Sequence, residues 1–247
     1  KCKNKNMKKL WLCFLLTACA GAGWVAPTDF QYVPIKTDIY EIATWQKINN
    51  PKNNIVHIYI EGDGNSFNAY GSPTDDPTPH GTSVRDLVTR DNFENVVYVA
   101  RPCQFIMDNN CKKQDWTTAR FSKKIIDAQS QVIKQIAKNK HVVLIGYSGG
   151  AMVSGLVIKQ NPKLKVDKWI TIAGVLNHKK WTEYFGDEAL NESLNMDALP
   201  KVSQIHFVGG RDEIVPYDLA KTWADEKDIK IISDATHSDF KELKIFN

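Results

Sequence analysis

The sequence predicts an α/β fold: a mostly parallel, doubly wound sheet flanked by helices. Three observations carry that expectation. Short apolar runs rich in β-branched residues alternate with stretches of helical periodicity along most of the 247 residues. Several of these runs are almost continuously apolar, as strands buried on both faces must be. A Gly-x-Ser-x-Gly pentapeptide, Gly146 to Gly150, stands between one such run and an apolar helical stretch. The length and the 43% hydrophobic content suit one domain large enough for a single buried core.

In chain order, residues 1–18 read as a leader. Met7-Lys8-Lys9, followed by Leu10 to Leu16, has the charged and apolar regions of a secretory signal, and Met7 reads as the natural start with an upstream extension before it. The apolar run is too short to span a bilayer comfortably. It closes on Leu16-Thr17-Ala18-Cys19, which resembles a bacterial lipobox. That resemblance implies cleavage before Cys19, acylation of Cys19 and anchoring to a membrane, in a Gram-negative cell the outer one. Residues 19–29 then form a tether, and residues 30–247 the domain. Plain secretion is the alternative.

Residues 30–47 carry β-branched and aromatic residues broken by Pro34, the pattern of one or two antiparallel edge strands. Residues 54–60 follow as a buried strand. His57 lies inside that strand and reads as a core residue. The strand ends in Glu61-Gly62-Asp63-Gly64-Asn65, a turn with two glycines. Residues 68–90 are rich in proline and turn formers, with a short helix expected from Ser83 to Arg90. Residues 95–100 form the next strand. The segment leaving it contains Cys103 and Cys111, the only cysteines after Cys19. In an exported chain such a pair is most simply a disulfide closing a small loop, two free thiols being the alternative. Phe105 and Trp116 in this loop either line a pocket or pack the loop itself.

From Ser122 to Asn139, Ile125, Ile126, Val132, Ile133, Ile136 and Ala137 recur at three- and four-residue spacing, the signature of an amphipathic helix lying on the sheet. Residues 141–145 then lead into the pentapeptide, and residues 151–158 continue as a buried helix. A further strand covers residues 168–174. Residues 175–200 are the one stretch between core strands able to form a cap, and they are short for one. His178 within it reads as a polar residue holding the loop, with substrate contact the alternative. Residues 204–210 and 229–232 complete the strands, and a C-terminal helix is expected from near Asp239.

Ser148 sits at a strand-to-helix corner, with Gly146, Tyr147 and Gly150 around it. A sharp turn there forces the corner residue into a strained conformation, and glycines to either side let backbones approach. At these residues the sequence resembles the α/β-hydrolase superfamily, most nearly small exported bacterial esterases or lipase-type enzymes. The resemblance implies a nucleophile, an acid and a histidine in that chain order, each on a loop after a strand. Ser148, Asp212 in the loop after residues 204–210, and His237 beyond the last strand fit it. Glu213 and Asp218 are the fallback acids, and Asp234 is nearer the histidine in sequence but in the wrong loop. His80, His141 and His206 fit the base role less well. The resemblance also implies an oxyanion hole from the backbone of Asp63 or Gly64 together with Gly149, the residue after the nucleophile. Glu61 stands where the superfamily commonly opens that loop with histidine.

Charge excludes a nucleic-acid partner. Lys1, Lys3, Lys5, Lys8 and Lys9 fall in the leader, and the remaining 27 basic residues face 28 acidic ones. No metal or nucleotide pattern is present, and residues 62–64 are too short a glycine turn, without a following lysine, to cradle phosphate. The expected substrate is a small-molecule or lipid ester, with no cofactor. A peptidase, thioesterase or acyltransferase would use the same triad, and a surface lipoprotein that only binds would use the same fold.

Overall fold

In a computed structural model that describes residues 24–246, the strands are β1 (Gln31–Tyr32), β2 (Ile35–Lys36), β3 (Glu41–Ile42), β4 (Thr44–Ile48), β5 (Ile55–Ile60), β6 (Asn95–Val99), β7 (His141–Tyr147), β8 (Val166–Ile172), β9 (Gln204–Gly209) and β10 (Ile229–Ile232). The helices are α1 (Ser83–Arg90), α2 (Lys123–Ala137), α3 (Gly149–Gln160), α4 (His178–Phe185) and α5 (Tyr217–Ala220). The leader, Cys19 and the start of the expected tether, through residue 23, lie outside the described residues. Eight strands form one sheet in the order β1-β4-β6-β5-β7-β8-β9-β10, and β2 and β3 make a separate antiparallel pair. The pairs β1/β4 and β4/β6 are antiparallel; β5 pairs in parallel with β6 and β7, and the parallel pairing continues through β8 and β9 to β10.

This order explains where a site can form. The chain leaves β5, crosses by way of α1, and enters β6 on one side of β5. It then returns through α2 to β7 on the other side. Right-handed crossovers in opposite directions place their helices on opposite faces. The core accordingly divides into two layers. Ile125, Ile126, Val132 and Ile133 of α2 and the apolar face of α3 pack on Val97, Val99, Leu144 and Trp169. Val84, Leu87 and Val88 of α1 pack with Phe240 and Leu243 on Tyr98, Val143, Ile145 and Ile170. Adjacent residues of β7 serve opposite layers, as a period of two requires. Where the winding direction reverses, at β5 and β7, the loops at the carboxyl ends part and leave a crevice. The loop after β5 and the pentapeptide after β7 meet there.

The expected strands and helices through residue 232 are present, and α1 spans Ser83 to Arg90 as the sequence implied. Residues 175–200 hold only α4 as regular structure, a small cap with Tyr184 and Phe185 exposed. The helix expected from Asp239 does not form. Phe240 and Leu243 do enter the core at helical spacing, but Arg90 binds the backbone carbonyls of Phe240 and Lys241, fixing the segment in another shape. So short a stretch has little intrinsic helical stability to oppose that. Cys103 and Cys111 are disulfide-bonded, with Cα atoms 5.7 Å apart.

Candidate active site

Ser148 occupies the corner between β7 and α3 with φ 50° and ψ −121°. A side chain held in this region costs about 1–3 kcal/mol and persists only where the surroundings determine it. Here they do. A Cβ on Gly146 would stand 2.5 Å from the carbonyl oxygen of Gly150, and one on Gly150 would stand 2.5 Å from those of Ile60 and Glu61. Both glycines are therefore required by the packing of α3 onto β5 and β7. The Ser148 N–H is held by Ile172 at 2.9 Å, and its carbonyl accepts from Ala151 at 3.0 Å.

His237 lies in the loop after β10, with Nε2 3.0 Å from Ser148 Oγ. Its Nδ1 is 3.0 Å from Asp212 Oδ2 and 3.2 Å from Oδ1. The Asp212 carboxylate is fully buried, whereas the His237 side chain keeps 20% exposure. The acid is oriented in turn, because its Oδ1 accepts from the N–H groups of Ile214 and Val215, both at 2.8 Å. Serine, histidine and aspartate thus form one hydrogen-bonded row drawn from three loops. Of the fallback acids, Asp218 pairs with Lys221 instead.

The loop after β5, residues 61–65, is held by more than its glycines. Glu61 is buried, accepting from the Tyr98 hydroxyl at 2.8 Å and from the Gly62 N–H at 2.9 Å, and burial pushes its carboxyl above the usual range. Gln104, next to Cys103, donates to the Gly62 carbonyl at 3.0 Å. Gly64 adopts φ 67°. The Asp63 side chain faces Gly149 and pairs with Arg101 at 3.1 Å and Arg120 at 3.4 Å. The backbone N–H groups of Asp63, Gly64 and Gly149 make no hydrogen bond to another of the described residues, that of Gly149 because it opens α3. A cleft of about 290 Å³ joins Ser148 and His237 to Asp63, Gly64, Tyr147 and His80.

Several sequence expectations resolve here. Trp116 donates to the Thr74 carbonyl and belongs to the core, and Phe105 packs edge-on against Trp45 and Tyr98, so both pack the loop rather than line the cleft. His57 is buried, paired with Asp91 at 2.7 Å and stacked between Phe93 and Phe246. His178 is buried at the start of α4, stacked on Phe121 and outside the cleft. The sequence reading missed what fixes the base loop. The Tyr147 hydroxyl donates to the His237 carbonyl at 2.9 Å, and Ser83 Oγ to that of Ser238 at 2.6 Å. The position of Tyr147 beside the nucleophile was the available signal; Ser83, remote in sequence, gave none.

No family model matches the chain, and no curated protein matches it. Solved structures do. An α/β serine hydrolase without a lid from Xanthomonas campestris superposes with a TM-score of 0.54 at 15% identity, over 87% of this chain and 88% of that one. An α/β serine hydrolase homologue from Coxiella burnetii does so with a TM-score of 0.55 at 16% identity, over 87% and 92%. The chain has the α/β-hydrolase fold. A Pyrococcus furiosus esterase is similar again, with a TM-score of 0.51 at 15% identity over 84% of each chain. Ser148, Asp212, His237 and residues 61–65 lie together at the carboxyl edge of the sheet.

Proposed function

We propose that this protein is a serine hydrolase that cleaves carboxylic esters through an acyl-Ser148 intermediate. The observation that carries the reading is the continuous row Ser148 Oγ, His237 Nε2, His237 Nδ1, Asp212, with no contact longer than 3.0 Å along its best path. Ser148 Oγ attacks the carbonyl carbon while its proton passes to His237 Nε2. Asp212 holds the imidazole in the tautomer that accepts it and stabilises the imidazolium that results. The carbonyl π electrons move onto oxygen, and the N–H groups of Gly149 and of Asp63 or Gly64 receive that charge. As the bond to the leaving oxygen breaks, His237 returns its proton to that oxygen. Water then attacks the acyl-enzyme by the same route, releasing the acid and free Ser148.

Support for an ester substrate is narrower: the small cap, the open cleft, and the likeness to structures that include one described as an esterase. For location, the Leu16-Thr17-Ala18-Cys19 motif supports an exported protein anchored through acylated Cys19, and the intact mass of the membrane-extracted protein tests it. The test of the chemistry is covalent labelling with a fluorophosphonate, followed by turnover of short 4-nitrophenyl esters. An adduct on Ser148 that is lost in Ser148→Ala and His237→Ala, with hydrolysis lost alongside, is the expected result. A well-folded protein that takes no label would overturn the reading in favour of a binding role for the same fold.

A further inference from the structure

Trp24, the first described residue, is packed onto the body of the domain. Its ring meets those of Phe30, Trp45 and Tyr98 at centroid distances of 6.2, 5.1 and 5.3 Å, and the Arg85 guanidinium lies 5.9 Å from it. These neighbours fix where the chain enters the fold. Tyr98 is next to last in β6, opposite Trp45, and its hydroxyl reaches Glu61 at the cleft. Arg85 donates to the carbonyls of Pro79 and Gly81, which line that cleft as well. Trp24 is therefore held at the carboxyl edge of the sheet, with Tyr98 and Arg85 between it and the cleft of Ser148.

Cys19 stands five positions before Trp24. A chain spans at most about 3.6 Å per residue, so Cys19 lies within about 18 Å of Trp24. Acylation would hold Cys19 at the level of the lipid headgroups, and the carboxyl edge close behind it. The opposite edge cannot take that place. β7, seven residues long, separates the two edges by about 20 Å, and loops extend beyond both its ends. With the amino edge on the bilayer, Trp24 would stand farther from the surface than the tether reaches. The side chains of the two edges agree with this. Loops leaving the carboxyl ends of β5, β6 and β9 expose Phe67, Tyr70, Met107 and Ile214, Tyr70 by 93%, and tyrosine suits a membrane interface. Among the described residues, the loops entering β5, β7 and β8 expose no large apolar side chain. Five lysines, Lys134, Lys138, Lys140, Lys163 and Lys165, surround a hollow of about 560 Å³ there instead. Charge alone would turn that edge towards an anionic bilayer, so reach and charge favour opposite orientations. We propose that the carboxyl edge is a docking surface for a lipid bilayer, with the cleft of Ser148 opening onto the membrane that holds Cys19. This rests on the anchoring through acylated Cys19 proposed above, and on the hydrolase reading only for what the cleft does there.

The experiment takes the protein extracted from membranes and reconstitutes it into vesicles of phosphatidylcholine and phosphatidylglycerol that contain a lipid spin-labelled at its headgroup. With Cys19 acylated and Cys103 bonded to Cys111, Tyr70→Cys or Lys163→Cys supplies the one free thiol of the mature chain for a fluorophore. Both positions are exposed, and an unchanged Tm shows that each variant folds. Quenching should be several-fold stronger in Tyr70→Cys, at the carboxyl edge, than in Lys163→Cys, at the opposite one. A flexible insertion of about fifteen residues between Gly23 and Trp24 adds about 20 Å of reach and should narrow the difference. A difference that survives the insertion would still place this edge on the bilayer, held there by its own apolar side chains. Equal quenching at the two positions would overturn the proposal. So would stronger quenching in Lys163→Cys, which would assign the contact to the lysines of the amino edge. An intact mass with no lipid on Cys19 would overturn it together with the anchoring. Fluorophosphonate labelling of Ser148 in the same samples judges the hydrolase reading separately.

Discussion

The hydroxyl of Tyr147 donates a 2.9 Å hydrogen bond to the backbone carbonyl of His237, so the residue before Ser148 holds the loop that carries His237 in place. The two belong to different loops, and the bond ties the spacing of Ser148 and His237 to one side chain. Tyr147 is mostly buried, and burial pushes its phenol well above the ordinary range, so it stays a donor at any working pH. Tyr147→Phe removes one neutral hydrogen bond worth about 1 kcal/mol, which predicts a fall in kcat of roughly 2- to 10-fold. KM should change little, because the loss falls on alignment rather than on substrate contact. Steady-state kinetics on a short ester checks the split.

Ser148 predicts an opposition between stability and chemistry. Its φ of 50° is unfavourable for any side chain and free of penalty for glycine. Ser148→Gly should therefore abolish hydrolysis and still stabilise the fold by about 1 kcal/mol, raising Tm by roughly 2–4 °C for a chain of this size. Thermal unfolding of the variant beside wild type measures it. A lowered Tm would mean that the serine side chain contributes packing that outweighs its strain.

Asp212 joins the two roles in one carboxylate. It orients His237 and also receives the N–H groups of Ile214 and Val215 while fully buried. Asp212→Asn keeps the volume but loses the charge that selects the tautomer, and kcat should fall by about 10³- to 10⁴-fold. Asp212→Ala leaves two buried donors unpaired as well, so its Tm should drop below that of Asp212→Asn, at roughly 1–3 kcal/mol for each unpaired group. Equal melting temperatures would show that water satisfies the loop.

How far the sequence reveals this architecture follows from how local each signal is. Ser148 was legible because its glycines, the strand before it and the helix after it are contiguous, and β7 announces itself by an unbroken apolar run. Asp212 and His237 were legible once the strands before them had been placed. Arg101, Arg120 and Ser83 were not, because an isolated polar residue in a loop has no period, and its partners are set by folding of the whole chain. The C-terminal segment misled for a physical reason. Phe240 and Leu243 have helical spacing, but what fixes that backbone is a guanidinium from α1, more than a hundred residues away in sequence.

Histidine burial gives a pH prediction with a definite sign. His206 lies within β9, packed edge-on to Trp169 and hydrogen-bonded to Thr171 at 2.8 Å, and burial lowers its pKa from 6.5 to about 4. Between these values the unfolded chain binds the proton and the folded one does not. Stability is therefore complete above about pH 6.5 and falls as the pH drops towards 4, by about 3 kcal/mol at most from this group. Tm measured from pH 7 to 4.5 should decline, and His206→Gln should flatten part of the decline. If the two slopes coincide, His206 is not the group responsible.

The disulfide reaches the chemistry through Gln104. Cys103 and Cys111 close a loop with a sequence separation of 8, and the residue after Cys103 uses its side-chain amide on both sides. Gln104 Nε2 donates to the Gly62 carbonyl at 3.0 Å, while its Oε1 accepts from the Arg101 N–H at 3.0 Å. Gly62 and Arg101 both bear on residues 61–65, the proposed oxyanion loop, the first as part of its backbone and the second by holding Asp63. Opening so small a loop restores chain entropy to the unfolded state, a loss of about 2–3 kcal/mol of stability. That alone would lower Tm and leave kcat near its starting value at 25 °C. Because Gln104 is carried on the bridged loop, the double substitution Cys103→Ala and Cys111→Ala should also lower kcat by several-fold, and the rate of fluorophosphonate labelling of Ser148 should fall with it. A variant that melts earlier but labels and turns over at the wild-type rate would confine the disulfide to stability and show that the contacts of Glu61, Asp63 and Gln104 hold residues 61–65 without it.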